Sequence, residues 1–303
     1  MVSTILRALA VIGLLLNLVL VVRKTGSMRK TENGAEKWDA GKKYVPYNTL
    51  VGAVANFLDV FGIGSYATSS AAFKLGKSVG DGDIAGTMCV GDTVPICLEA
   101  FLFAALAGVD GLTLGVMIAA AVIGSFLGAS LVTKLNIQGM RLMMGVGMIV
   151  LSIVMALRVF AVGPFGLVGD GLGLSGGRLV IAAIVQLFLG MFMNIGVGLY
   201  APCMALCCGL GMSVAATLPI VMGSSALLMA FGSGPQFIKA GKYDMLGVYT
   251  QMIGGTIGVL IAYFFVKSLD VKILTIIIAV VVLVTGIMFF RDYNNGKPKR
   301  RHE

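Results

Sequence analysis

Residues 190–211 read GMFMNIGVGLYAPCMALCCGLG, and the fold turns on how this stretch is understood. It is apolar enough for a bilayer and too rich in backbone breakers for one plain helix. Gly196 and Gly198 flank Val197, Pro202 follows, and Gly209 and Gly211 close it. Glycine is free to leave the helical region, and proline withholds an N–H. The stretch therefore predicts two half-helices with an opened turn over residues 196–202. Irregular backbone inside a membrane is tolerated only where protein or a watery cavity satisfies it.

The stretch has an earlier echo. Residues 55–73 read ANFLDVFGIGSYATSSAAF, and residues 62–67 (GIGSYA) match residues 196–201 (GVGLYA) at four of six positions. Further on, Ala85-Gly86-Thr87 lies on Ala215-Ala216-Thr217, and Ile123-Gly124 with Gly128 lies on Ile253-Gly254 with Gly258. The chain thus reads as two copies of one unit. Interrupted hydrophobic segments at matching places in two halves are the strongest sequence pointer to a transport site.

Composition places this pattern in a membrane. Of 303 residues, 58% are hydrophobic and 12% charged, with a mean hydropathy of +0.96, which excludes an ordinary soluble domain. A net charge of +9 invites nucleic acid, but its placement argues otherwise. Residues 23–46 carry seven Lys/Arg against three acids, and residues 291–303 carry five against two. Such flanks mark the cytoplasmic side of spans and meet anionic lipid, so the partner is the bilayer and not nucleic acid. The single histidine, His302, lies in the tail, so no histidine metal site is expected. No cofactor motif appears.

The expected architecture is an all-α polytopic membrane protein. It comprises an N-terminal span (1–22), a basic cytoplasmic linker (23–46), a first repeat (47–161), a glycine-rich connector (162–177), a second repeat (178–290) and a basic tail (291–303). Each repeat has one broken or re-entrant segment followed by three spans. If both broken segments dip in and return, the repeats are inverted. Lys74, Lys77, Lys134, Arg141, Lys239 and Lys242 then share the cytoplasmic face, leaving Arg158, Arg178, Lys267 and Lys272 as exceptions.

An opened helix exposes unpaired N–H groups at the positive end of a half-helix dipole, which suits a small anionic solute. The expected substrate ligands are Gly62, Gly64 and Ser65 in one unit and Gly196, Gly198 and Leu199 in the other. Thr68, Ser69 and Ser70 add hydroxyls, Tyr66 and Tyr200 add phenols at equivalent positions, and Pro202 keeps the second turn open. Ser224 and Ser225 are further donors from the next span. The alternative is that these glycines only permit close helix packing, as the Gly124/Gly128 and Gly254/Gly258 pairs do. Intramembrane acids invite a functional role because burying a charge in lipid is expensive. Asp92 is the first candidate to carry a coupled proton, with Asp59 and Glu99 behind it.

The duplicated unit, the G-I-G and G-V-G breaks and the I-G-x-x-x-G third span resemble the sulfite exporter TauE/SafE family of membrane transporters over residues 47–290. DVFGIGSYATSSAAFKL and GVGLYAPCMAL look like a bacterial subgroup. The resemblance implies a permease of the bacterial cytoplasmic membrane, not an enzyme, moving sulfite or an organosulfonate by alternating access, with export as its direction. Two other readings stay open: a cation or amino-acid carrier, for which Asp59 and Asp92 speak, and a membrane thiol-redox protein built on Cys89 and Cys203. The oligomeric state is open too, a homodimer included.

Inverted repeats make a direct topological prediction. Single cysteines placed at Leu75 and Gly139 should resist impermeant thiol reagents added to whole cells and react once the membrane is opened. External labelling of either position would sink the inverted arrangement.

Overall fold

The computed structural model describes residues 2–103, 108–167, 169–196, 198–265 and 272–296. The described residues form helices: α1 (Val2–Arg29), α2 (Glu32–Gly41), α3 (Val45–Val60), α4 (Ser65–Gly76), α5 (Ile84–Gly91), α6 (Thr93–Phe103) and α7 (Gly111–Val132). They continue with α8 (Ile137–Val159), α9 (Gly176–Met193), α10 (Tyr200–Gly209), α11 (Val214–Leu227), α12 (Gly234–Ala240), α13 (Met245–Phe265) and α14 (Lys272–Asn294). Short turns at Lys42–Tyr44 and Gly163–Gly166 and a π-helical turn at Leu228–Ser233 complete them.

Eight helical runs among the described residues are long and apolar enough to cross a membrane. This is a multi-pass α-helical membrane protein. Two of the runs are composite. α5 and α6 join through Asp92, whose N–H bonds Met88 O and whose carbonyl accepts from Ile96, so the ladder continues. The π turn joins α11 to α12, giving one run over Val214–Ala240.

Close glycine contacts fix how the helices pair. A Cβ on Gly254 would collide with the carbonyl oxygen of Thr49, and one on Gly258 with that of Ala53. Residue numbers rise together, so α13 runs parallel to α3. Gly124 meets Leu187 O and Gly128 meets Met191 O in the same sense, so α7 runs parallel to α9. α8 and α14 oppose each other: Gly145 packs on Phe289 and Phe290, while Ser152 Oγ donates to Ala279 O at 2.8 Å. α1 follows α11 and α12, with Leu6 against Gly223, Gly13 against Ala230 and Asn17 against Gly234. It opposes α5 and α6, where Asn17 donates to Thr93 Oγ1 and Arg7 to Phe101 O.

Both broken segments fold back on themselves. Tyr47 Oη at the start of α3 donates to Ala72 O near the end of α4 at 2.8 Å. Arg178 at the start of α9 donates to Leu210 O, just past α10, at 3.4 Å.

The structure corrects three boundaries. The first helix does not stop at residue 22 but runs to Arg29, because lysine and arginine are good helix formers and Arg29 lies 4.7 Å over the Trp38 ring. The linker over residues 23–46 is therefore largely helical, with Thr31 capping α2 through a bond from Gly34 N–H at 3.1 Å. The second opening does not extend to residue 202, since Tyr200 and Pro202 lie in the first turn of α10, where a missing proline N–H costs nothing; it takes in residues 194–196 and 198–199, with Val197 outside the described residues.

A buried ion cluster ties one end together. Lys74 of α4 pairs with Asp81 at 2.8 Å and with Asp292 of α14 at 2.9 Å, and Arg141 of α8 pairs with Asp81 at 2.8 Å. Lys74 and Arg141, which the charge rule assigns to the cytoplasmic face, are fully buried in protein, and two carboxylates compensate them.

The glycine contacts predict a steep size dependence. Gly124→Val or Gly258→Val should lower the unfolding temperature in detergent, with an overpacking cost of about 1–3 kcal/mol or more. Gly115→Val, at a position where nothing lies within 4 Å of an added Cβ, should be nearly silent.

Candidate functional site

The two breaks meet in one cavity. It is lined from the first by Asp59, Gly64, Ser65 and Tyr66 and from the second by Gly198, Leu199, Tyr200 and Ala201. α6 contributes Glu99, and the α11 run contributes Met222, Ser225 and Met229, the last from the π turn. The space open to the centre of a water-sized molecule is ≈ 40 Å³, room for about three waters.

Left-handed backbone makes the breaks. Gly62 and Gly64 have φ of 81° and 95°, and Gly196 has φ of 100°, conformations an L side chain rarely adopts. Asn194 prepares the second break. Its amide donates to Gly190 O and Met191 O at the end of α9, and to Ser125 O of α7 at 3.1 Å.

The two half-helix starts are not equivalent. At α4, Ser65 N–H is taken by Asp59 Oδ1 at 2.8 Å. At α10, no side chain caps the first turn, and residues 198–201 all line the cavity. An uncapped helix start with its amides toward a cavity is ready for an anion or for a polar end of a solute.

The acids separate into two roles. Asp92 lies outside the cavity lining, and its carboxylate accepts from Gln251 Nε2 at 2.7 Å, Asn56 Nδ2 at 3.1 Å and Ser65 Oγ at 3.1 Å. Three donors thus converge on one buried carboxyl group. Asp59 and Glu99 line the cavity itself. Ser65 Oγ stands 3.4 Å from Asp59 Oδ2, so a single hydroxyl lies between two carboxylates. Glu99 is buried, with no hydrogen-bond partner for Oε2 among the described residues.

The other expected ligands disperse. Gly62 packs under the Tyr200 ring without lining the cavity, and Gly196 lies beside Met148. Thr68 Oγ1 bonds back to Gly64 O, Ser69 accepts from Gln251, and Ser224 accepts from Gln186. Tyr66 lines the wall but spends its hydroxyl on Ala85 O at 3.2 Å. Pro202 is absent from the lining, as is Ser70. All five cysteines are free and buried; Cys89 Sγ stands 3.5 Å from Tyr66 Oη.

Sequence reading missed Arg158. Its Nη1 donates to Gly62 O, and its guanidinium lies 5.4 Å from the Tyr200 ring centroid, so it touches both breaks. The one available signal was its standing as an exception to the charge rule. Gln251 and Asn56, which hold Asp92, gave no signal, because an amide in an apolar helix looks alike whatever it faces.

What the fold and cavity define is a multi-pass helical membrane protein with a small, largely apolar chamber between two broken helices, with Asp59, Glu99, Ser65 and Ser225 among its lining. Compared with protein-family models, curated proteins and solved structures, the chain finds no match.

The shared hydroxyl gives a test of the geometry. Ser65→Ala removes the donor between Asp59 and Asp92 and should cost about 1–3 kcal/mol, read as a fall in unfolding temperature. Thr68→Ala, whose hydroxyl only back-bonds within its own helix, should change stability by no more than about 0.5 kcal/mol.

Proposed function

We propose that this protein is a permease for a small anion, moved together with a proton by alternating access between two inverted units. The observation that carries the reading is the meeting of both helix breaks in one chamber, whose lining includes the start of α10 together with Asp59 and Glu99. Paired discontinuous helices around a shared site are the usual construction of such carriers.

The register of helix contacts supports inversion. α7, α9 and the α11–α12 run point one way; α3, α13 and the α5–α6 run point the other, and α14 opposes α8. Each element of the first unit thus runs against its counterpart in the second. The two fold-back contacts support broken segments that dip in and return.

The proton follows from charge balance. No Lys or Arg lines the chamber, so an anion there faces Asp59 and Glu99 unless they are protonated. Protonation of Asp59 weakens its hold on Ser65 N–H and frees that amide for the anion, while the acid's O–H donates to Ser65 Oγ. Anion and proton then enter or leave together. The resemblance to the TauE/SafE family suggests sulfite or an organosulfonate, export as the direction and a bacterial cytoplasmic membrane as the location.

A second reading has its own support. Two acids lining the same chamber as a helix start also suit a cation, or a zwitterion whose carboxylate meets α10 and whose ammonium meets Asp59 and Glu99.

A thermal-shift panel of sulfite, sulfate, thiosulfate, sulfoacetate and taurine tests both. Under the anion reading, a sulfur oxyanion raises the unfolding temperature, and the rise grows as pH is lowered because binding takes up a proton. Asp59→Asn should keep the rise and lose much of its pH dependence. If no anion acts, while sodium in place of choline or an amino acid does, the cation or amino-acid reading replaces it.

A further inference from the structure

Arg158 ends α8, half-buried, with an unusual set of neighbours. A second cavity of ≈ 220 Å³ lies against it, walled by Pro164, Phe165, Met204, Cys208 and Val214 among other uncharged residues. Arg158 is the one charged residue in that wall, and it makes no ion pair among the described residues. Its hydrogen bond goes to a neutral carbonyl, Gly62 O. A guanidinium carries five N–H donors in a planar fork, so most of its capacity is unspent. Ala201, in the first turn of α10, lines both cavities, and Tyr200 stands between Arg158 and the central chamber.

We propose that this second cavity is a capture site for a small oxyanion with an apolar body, a sulfonate or carboxylate held by two parallel N–H bonds from Arg158. This inference rests on the permease reading and adds a second station for the anion, at the end of α8 opposite Arg141, which an exported solute reaches last and an imported one first. A guanidinium suits such a head because its fork matches two oxygens, while the apolar wall takes the remainder of the solute. The charge also lies where it meets the second break. An anion moving between the two cavities passes Tyr200 at the start of α10, where Ala201 lines both, so one helix start serves both cavities. Arg158 then returns to Gly62 O, which places the first break under the same side chain. The site lies at the end of the molecule where α8 finishes, away from the Lys74–Asp81–Arg141–Asp292 cluster at its start.

The experiment reads charge selection without needing transport. All five cysteines are replaced by alanine or serine and Val214, on the cavity wall, is changed to cysteine. Its modification rates by a sulfonate-bearing and an ammonium-bearing methanethiosulfonate are compared. The anionic reagent should be favoured. Arg158→Gln should cut the anionic-to-cationic ratio about tenfold, and Arg158→Lys should retain most of it. A ratio that Arg158→Gln leaves unchanged overturns the proposal, as does an Arg158→Lys variant no better than Arg158→Gln. In the background with its own cysteines, methanesulfonate should raise the unfolding temperature of the native protein and of Arg158→Lys but not of Arg158→Gln; equal shifts in all three overturn it. If charge selection at Val214→Cys holds while Asp59→Asn leaves the pH dependence of anion binding intact, the capture site stands and the proton-coupled chamber fails.

Discussion

An amide that leaves the helical ladder inside an apolar bundle must find another partner, and this structure is arranged around two places where that happens. At the first, the debt is settled internally: Asp59 reaches the start of α4 and takes Ser65 N–H. At the second, no side chain answers, and the start of α10 faces a chamber. Two segments of similar sequence thus have opposite electrostatics. The difference comes from residue 59, an acid in the first unit that has no acidic counterpart at residue 193, which is Met.

Holding the breaks together requires helices that cannot slide. Backbone-to-backbone contact at Gly124 and Gly258 brings α7 against α9 and α13 against α3, closer than any side chain would permit. α3 and α9 lead into the two breaks, so tight packing lies next to the least regular backbone. The buried cluster of Lys74, Arg141, Asp81 and Asp292 pins the return arm α4 to α8 and α14. Its charges are compensated in pairs, whereas Asp59 and Glu99 at the chamber have no basic partner on its wall.

Much of this was legible in residue order. Glycines at 62, 64, 196 and 198 marked where the helices would break, and three of the four take positive φ, while the small-xxx-small spacing marked helix contact. Boundaries fared less well. Pro202 read as part of an opening, yet a proline in a first turn is compatible with helix, and only the position of Asn194 shows where α9 ends. Lys74 and Arg141 read only as cytoplasmic-face cations because their partners, Asp81 and Asp292, are distant in sequence or hidden in a polar run. Asp92 read as the first candidate proton carrier, and its partners were not legible: the amides of Asn56 and Gln251 that bond it lie 36 and 159 residues away.

By itself the sequence determined the class of molecule and the places of its two breaks, since apolar run length and glycine placement are local properties of the chain. The tertiary structure alone decided which groups face the chamber. Whether an acid is held by three donors or lines a cavity, and whether Arg158 points to lipid or to both breaks, depends on neighbours contributed by other helices. No spacing along one helix encodes the side chains that another brings to it.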